Sequence, residues 1–189
     1  MTRITRNRKA LSQPVTAMIL LVVPVALAGG TVLYAYEIAE TSMQIELLRL
    51  SNEHIWVFDN GTAFGAVAID NIGGRDVVID KIQVRGVEAQ WSNVYYMRRP
   101  IPLATWLNCP NSTGHSWSSF QYTENTTAAF VVATTGLPLA SGDTLIIFIV
   151  NPDNISLDDI GTTAGVTVFT RSAQYVVECN VQSAEVASQ

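Results

Sequence analysis

Residues 11–36 read LSQPVTAMILLVVPVALAGGTVLYAY and contain no charged side chain. Four cations precede this stretch, and the first acidic residue after it is Glu37. An uncharged apolar run of this length exceeds the roughly 20 residues that a helix needs to cross a bilayer. The stretch therefore predicts a helix that is buried in lipid or packed against other helices.

An apolar helical period continues beyond Glu37, through EIAETSMQIELLRL, as far as Leu50. We therefore expect one long helix over residues 11–51. Pro24 is expected to kink this helix, and Gly29-Gly30 is expected to soften it. At 1.5 Å per residue such a helix would be about 60 Å long.

Three interpretations fit this N-terminus. The first is a permanent transmembrane anchor, whose N-terminus stays in the cytoplasm because the cations precede the apolar run. The second is a secretory signal that is cut after Ala26-Leu27-Ala28. The third is a leader peptide that is cut on the cytoplasmic side, so that the apolar run survives in the mature protein. All three place the remainder of the chain outside the membrane.

The remainder of the chain has the pattern of β-structure. Turn signals rich in Gly, Asn and Asp separate segments with β-branched and aromatic residues. The fold class expected is α+β: a long N-terminal hydrophobic helix followed by an antiparallel immunoglobulin-like β-sandwich over residues 52–183. Residues 98–127 are expected to be a long connection with little sheet, and residues 184–189 a flexible tail. The predicted strands are 54–59, 63–70, 76–85, 94–97, 128–134, 144–150, 165–170 and 174–181.

Composition excludes several functions. The formal net charge is −5, and four of the 11 cations lie before Leu11, which argues against a nucleic-acid partner. The two histidines and the absence of nucleotide-binding or HExxH motifs predict no catalytic site, no metal and no cofactor. Asp153, Asp158 and Asp159 do not have the spacing of a calcium loop and are expected to form a solvated acidic turn.

Two sets of residues indicate covalent modification. Cys109 and Cys179 are far apart in sequence and are predicted to form a disulfide in an oxidising compartment, with two buried thiols as the alternative. Four N-x-[ST] sequons fall in predicted turns or loops and are candidate glycosylation sites. Their asparagines are Asn60, Asn111, Asn125 and Asn154.

A family resemblance follows from the start of the chain. The run Arg8-Lys9-Ala10-Leu11-Ser12-Gln13-Pro14-Val15, followed by the apolar stretch, resembles the class III signal peptide of archaeal type IV pilins. The resemblance implies that a prepilin peptidase cuts between Ala10 and Leu11, with Lys9 beside the cut, so that residues 1–10 are a leader. A weaker likeness is that residues 71–79 resemble the first hairpin of the β-domains in such subunits.

The resemblance also implies a function. The protein would be a non-enzymatic subunit of an extracellular adhesive pilus, a helical homopolymer. Its precursor would lie in the cytoplasmic membrane and meet the prepilin peptidase and the pilus assembly machinery. The implied filament core consists of Leu11, Val15, Met18, Ile19, Leu20, Val22, Val23, Leu27 and Leu33.

Two alternatives stay open. Most archaellins and bacterial type IV pilins carry a glutamate near the fifth or sixth mature position, where this chain has Val15 and Thr16. That difference weighs against an archaellum filament. The other alternative is a membrane-anchored or secreted β-sandwich that binds a surface partner as a monomer.

Overall fold

A computed structural model of the chain describes residues 12–42, 45–112 and 115–185. The chain divides into two compact units, Met1–Met43 and Gln44–Gln189. The described part of the first unit is one helix, α1 (Ser12–Ser42). The described part of the second, called the β-domain below, contains twelve strands. They are β1 (Leu48–Phe58), β2 (Ala63–Asn71), β3 (Val77–Val84), β4 (Val87–Glu88), β5 (Val94–Arg99), β6 (Phe120–Thr123), β7 (Thr126–Ala128), β8 (Val131–Val132), β9 (Leu137–Leu139), β10 (Thr144–Val150), β11 (Thr163–Thr170) and β12 (Gln174–Ala184).

The helix is shorter than the sequence pattern predicts. It ends at Ser42, and Leu48 already belongs to β1, so the prediction of helix as far as residue 51 is wrong. Leu48 and Leu50 suit a strand as well as a helix, because they alternate with Arg49 and Ser51. Burial decides between the two patterns, since Leu48 belongs to the core of the β-domain and Leu50 packs against it.

A bulge in β1 keeps both of its halves in register with the core. The pairing of β1 with β2 shifts between Ser51 and His54, and Asn52 within the shift has a positive φ of 53°. Leu48 faces the core before the bulge and Ile55 faces it afterwards, although their spacing is odd. An extra residue reverses the in–out alternation of a strand, which is why one strand can supply both side chains.

Ten strands form a single sheet. Its order is β4-β3-β11-β12-β1-β2-β10-β5-β8, and β9 pairs with β3. The pairs are antiparallel except that β1 and β12 run parallel, with Ile55 opposite Val181. The predicted all-antiparallel arrangement is therefore wrong for this one pair. Strands β6 and β7 form a separate two-stranded hairpin.

The sheet curls around one aliphatic core. Alternate side chains of β2 and β10 belong to the same buried cluster as those of β3 and β11. The two halves of the curled sheet therefore share their inner faces. All nine residues of β2 are buried, so this strand is covered on its outer face as well. The largest fully buried side chains of the cluster are Ile55, Ile69, Ile79, Ile82, Leu139, Leu145, Ile147 and Ile149.

An aromatic core covers the outer face of β2 and β10. Phe148, which is fully buried, has its ring centroid 5.2 Å from both Phe120 and Phe130 and 5.6 Å from Trp117. Phe120, Trp117 and Phe130 belong to the segment that follows β5. The predicted long connection over residues 98–127 thus does more than join two strands, because it supplies β6, most of β7 and three buried residues of a second core, namely Leu107, Phe120 and Tyr122.

The coarse fold prediction is confirmed. The chain is α+β, with one long apolar N-terminal helix followed by a mostly antiparallel, curled β-sheet. At the level of single elements, the predicted strand 128–134 is replaced by the end of β7 and the two-residue β8. Strand β9 lies where no strand was predicted. At the other end, β12 continues to Ala184, so sheet structure extends past the predicted end of the domain.

Candidate functional site

The surface of α1 is apolar in every direction. Every residue in 13–41 is exposed, and the large apolar side chains are between 48% and 69% exposed. Leu20, Leu21, Val22 and Val23 are consecutive, so they occupy all sides of one helical turn. A helix on the surface of a soluble domain has a polar face. This helix has none along its apolar part and needs an apolar environment all round.

The dimensions of α1 suit a membrane. The stretch Gln13–Thr41 has 29 residues and contains an 18-residue window with a mean hydropathy of 2.2, none of which is buried within the described chain. At 1.5 Å per residue it is about 44 Å long, against about 30 Å for the hydrocarbon core of a bilayer. The helix is therefore long enough to span a bilayer and project beyond it, with Glu37 and Glu40 in the last turns.

Helix-breaking residues do not interrupt α1. The helix is continuous through Pro24 and through Gly29 and Gly30. A Cβ added at either glycine would meet no atom within 4 Å. The glycines therefore leave two gaps in the side-chain surface at which another helix can approach closely.

The predicted filament-core residues lie on this surface as far as the structure describes them. The residues at the predicted cut lie outside the described residues; they are Lys9, Ala10 and Leu11. Leu11 is also a predicted filament-core residue, so this part of the core prediction lies outside them as well. The others are exposed on α1, namely Val15, Met18, Ile19, Leu20, Val22, Val23, Leu27 and Leu33.

The segment 45–47, which closely follows α1 in sequence, is bound into the β-domain through its backbone. Leu47 accepts hydrogen bonds at 3.0 Å from the amides of Ile72 and Gly73, and Ile45 accepts one at 3.1 Å from Gly74. A Cβ on Gly73 would lie 2.6 Å from the Leu47 nitrogen and would also collide with the Ile45 carbonyl. Only glycine allows this close approach of two backbones.

Glu46 holds the same segment through its side chain. One carboxylate oxygen pairs with Arg75 at 2.6 Å, and the other accepts a hydrogen bond from the Thr170 hydroxyl. Arg75 also donates to Ser172 at 2.7 Å. Burial acts to raise the pKa of Glu46, but the hydrogen bonds from Thr170 and Arg75 outweigh it and keep that pKa below its usual value. We call residues 72–75 and 170–172 the cradle of segment 45–47.

Exposed apolar side chains lie beside the cradle. Ile45, Leu47 and Ile72 are 51%, 46% and 52% exposed. The hydrogen bond from the Ile72 amide to Leu47 brings two of them together. The end of the β-domain at which β1 begins therefore has an apolar rim.

The four sequons differ in their surroundings. Asn60 and Asn125 are exposed in turns, after β1 and between β6 and β7 respectively. Asn111 is exposed, but the third residue of its sequon lies outside the described residues. Asn154 is half-buried, and its Nδ2 donates to the Arg85 carbonyl at 3.0 Å. The predicted sites are thus not equivalent.

The predicted disulfide does not form. Cys109 and Cys179 are both free thiols. Cys179 packs against the aliphatic core and Cys109 against the aromatic core, so two different clusters hold them. Burial raises the pKa of Cys109 to about 12, and burial together with Glu53 raises that of Cys179 to about 11. Both thiols are half-buried, which is closer to the alternative of two buried thiols than to a disulfide.

The histidines serve as aromatic packing groups. His54 stacks on Trp56 with ring centroids 4.8 Å apart, and burial lowers the pKa of His54. His115 is half-buried and makes edge-on ring contacts with Phe64 and Trp117.

The acidic loop after β10 is tied to the protein itself. Asp159 accepts hydrogen bonds from the backbone and hydroxyl of Ser156 and pairs with Arg85. Among the described residues, no three His, Cys, Asp or Glu side chains converge in a way that could hold a metal ion.

Comparison with known proteins adds little. No protein-family model matches the chain, and no curated protein matches it. A similar solved structure is the copper-bound PCuAC domain from PmoF2, which is 10% identical to this chain. The alignment covers 75% of this chain and 100% of that domain, with a TM-score of 0.33. A likeness at this TM-score supports no inference about the fold or the ligands of this protein.

Proposed function

We propose that this protein is the structural subunit of an extracellular archaeal type IV pilus, which polymerises through its hydrophobic N-terminal helix for adhesion. The observation that carries the proposal is α1, which is apolar on every side and is not buried anywhere along Gln13–Thr41 within the described chain. Such a surface is stable in lipid or among other apolar helices, and a pilus subunit uses the two environments in turn.

The apolar surface of α1 has to be covered at every stage of assembly. Before assembly α1 lies in the cytoplasmic membrane, where lipid covers every face. When the subunit leaves the membrane, copies of α1 cover one another in a central bundle. Each Å² of apolar surface removed from water contributes roughly 25 cal/mol. Subunits related by a screw rotation make contacts that do not close into a ring, so the bundle grows into a fibre.

Processing completes the proposal. The resemblance to a class III signal peptide implies that the prepilin peptidase would cut between Ala10 and Leu11, before the apolar run, so that α1 would stay in the mature subunit. A cut after Ala28 would instead remove Pro24 and most of the uncharged stretch. The partners of the precursor are the membrane, the peptidase and the assembly machinery, and the partner of the mature subunit is a second copy of itself.

The β-domain would form the outside of the filament. We propose that its curled sheet is an immunoglobulin-like sandwich. Support comes from the aliphatic core, to which strands from both halves of the sheet contribute. An experimental structure of the β-domain tests this: two facing layers with the strand order given above are expected, and a closed barrel would contradict it.

A second candidate function uses the same helix in another way. Because Gln13–Thr41 alone is long enough to span a bilayer, the protein could act as a membrane-anchored β-domain that binds a surface partner. An archaellum filament subunit is disfavoured because Val15 and Thr16 occupy the positions where most archaellins have a glutamate.

One experiment separates these functions. Surface fibres are sheared from cells that make the protein, and the N-terminus of the chain is determined by mass spectrometry in the sheared and membrane fractions. Chains in the sheared fibres that begin at Leu11 are the expected result. A full-length chain found only in membranes would establish the anchored monomer. A soluble chain that begins at Gly29 would establish ordinary secretion and overturn the filament.

A further inference from the structure

The turn between β1 and β2 presents a sequon in a fixed conformation. Asn60 is exposed, and its Oδ1 accepts a hydrogen bond from the Thr62 amide at 2.9 Å. This is an Asx-turn, in which the side-chain oxygen stands in for a backbone carbonyl. Gly61 has a φ of 83°, which glycine adopts without strain. The Nδ2 of Asn60 has no protein acceptor among the described residues. This nitrogen therefore makes no hydrogen bond that would hold the described fold together.

A cavity of about 290 Å³ adjoins this turn. Its lining combines the polar side chains of Asn60, Thr62 and Asn151 with Pro152 and Ile155. Asn151 is held in place because its Oδ1 accepts from the Ala63 amide at 3.0 Å. No charged residue lines the cavity. Most of the exposed lining is polar, and neutral hydrogen-bonding groups suit the hydroxyls of an uncharged sugar ring. The volume is close to the lower end of known ligand pockets.

In the sequon of Asn154, the asparagine side chain is bound within the protein instead of being free at the surface. The carboxamide of Asn154 is turned into the protein, with Nδ2 donating to the Arg85 carbonyl at 3.0 Å. Its Oδ1 is buried and has no hydrogen-bond partner. The reacting atom of Asn154 is therefore engaged in the folded domain, whereas the reacting atom of Asn60 is free.

We propose that Asn60 carries an N-linked glycan whose first sugar lies in the cavity beside Thr62 and Asn151, and that Asn154 stays unmodified. The sugar donor would be a lipid-phosphate-linked oligosaccharide. A bond forms between Asn60 Nδ2 and C1 of the first sugar, and the C1–O bond to the phosphate breaks. The phosphate leaves with the bonding electrons, and Nδ2 loses one proton to a base.

The proposal rests on the proposed function in one respect, because the β-domain must lie outside the membrane to meet such a donor. The first experiment therefore includes protease treatment of intact cells. Cleavage of the β-domain shows that it is external. A β-domain that is protected from the protease would contradict its location outside the membrane. A β-domain that is cleaved while Asn60 carries no glycan would contradict the glycan proposal alone.

Site occupancy is measured by glycopeptide mass spectrometry on the cell-surface protein. The expected result is glycan on the Asn60 peptide and none on the Asn154 peptide. Thr62→Ala removes the sequon hydroxyl but keeps the amide that forms the Asx-turn, and it should abolish the Asn60 glycan. Asn154→Gln is the matched control and should leave the glycan pattern unchanged. A bare Asn60 in the wild-type protein, or glycan on Asn154, would overturn the proposal.

Hydrogen exchange tests whether the sugar lies in the cavity. The Asn151 amide donates to the Ala63 carbonyl at 2.8 Å, and the Ala63 amide donates to the Asn151 side chain. Both amides should exchange several-fold more slowly in the glycosylated wild-type protein than in Thr62→Ala. Equal exchange in the two proteins would show that the glycan points into solvent, and would overturn the packing part of the proposal.

Discussion

The carboxylate of Glu46 lies 2.6 Å from the guanidinium of Arg75, and only 7% of the Glu46 side chain is exposed. Because Glu46 closely follows Ser42, where α1 ends, this ion pair fixes the chain to the β-domain near the helix. In the proposed pilus, any load passing between the helical bundle and the outer domains crosses segment 45–47. A mutation in the cradle should therefore affect both the stability of the β-domain and the strength of the filament.

Replacing Glu46 by Gln tests the ion pair. Glu46→Gln keeps the shape of the side chain and an acceptor for Thr170, but it removes the charge that Arg75 meets. Since 43% of the Arg75 side chain is exposed, solvent screens part of the interaction. We expect the free energy of unfolding to fall by about 1 kcal/mol. Urea denaturation followed by tryptophan fluorescence measures it.

The matched control is Glu88→Gln, at an exposed glutamate of β4. It removes the same charge without touching the cradle and should change the unfolding free energy by less than about 0.5 kcal/mol. Equal effects of the two substitutions would show that net charge, and not the Glu46–Arg75 pair, determines the result.

The pH dependence of the same variant gives a second prediction. The pKa of folded Glu46 lies below its usual value, so the folded state stabilises the ionised carboxylate. This contribution is fully present above the unfolded pKa of about 4.3 and is lost as the pH falls through the folded pKa. The stability difference between wild type and Glu46→Gln should therefore be constant near neutrality and shrink below about pH 4. A difference that grows in acid would contradict the assignment.

Much of this architecture can be predicted from the sequence, but segment 45–47 cannot. The uncharged run over 11–36 determines a helix because no other element satisfies its backbone in an apolar environment. Around Leu48 the apolar residues fit both a helical period and a strand period. Packing against distant strands determines which element forms. The Asn52 bulge compounds the ambiguity, since it shifts the apolar positions of β1 from even to odd numbers.

Long-range packing also explains why the sequence suggests a disulfide that the structure lacks, and why the sequence does not reveal the aromatic core. Spacing along the chain does not tell that Cys109 and Cys179 belong to different cores. The rings of Trp117, Phe120 and Phe130 are scattered in a segment rich in Ser, Thr and Asn, without the period of a helix or a strand. Their common partner, Phe148, lies in β10, and only the fold brings the four rings together.

A third prediction concerns the close approach at Gly73. In Gly73→Ala the new Cβ would meet backbone atoms of Ile45 and Leu47, which cannot rotate away as a side chain could. We expect a loss of about 1–3 kcal/mol in the unfolding free energy. We also expect faster hydrogen exchange at the Gly74 amide, which donates to the Ile45 carbonyl. Both are measurable on the purified protein.

Gly65→Ala in β2 is the control for Gly73. Its added Cβ would lie 3.7 Å from the Ile149 Cβ, which is an ordinary contact distance. We expect a smaller loss than for Gly73→Ala and unchanged exchange at Gly74. If Gly73→Ala is as stable as wild type, the backbone of segment 45–47 is not held against residues 72–74.

The cysteines supply a fourth prediction. Burial raises the pKa of the Cys109 thiol to about 12, and burial with Glu53 raises that of Cys179 to about 11. At pH 8 almost none of either thiol is therefore ionised in the folded protein, and the thiolate is the reactive form. Iodoacetamide should modify both cysteines only after denaturation, and reductant should not change the melting temperature. A lower melting temperature in reductant would instead reveal a stabilising disulfide.

The last prediction concerns the apolar surface of α1 itself. Leu20→Lys puts a charge in the middle of a helix whose neighbours on all sides are apolar. In the filament the ammonium would be buried without a partner, which is costly in any apolar packing. A lysine at the centre of a membrane helix costs about 2.5–3.5 kcal/mol in insertion, which the remaining apolar residues can offset. We expect processed subunits in the membrane fraction and none in the sheared fibres.

Leu20→Met is the matched control, because it changes shape but neither charge nor volume appreciably. It should give wild-type amounts of sheared fibre. Normal fibres from Leu20→Lys would mean that the middle of α1 is not buried in the filament, and the proposed core would have to be abandoned. Loss of the Leu20→Lys protein from the membrane fraction as well would place the defect in insertion. A charge nearer the end of the apolar run, as in Leu33→Lys, would then be the substitution that tests assembly, because a lysine there can reach the membrane surface.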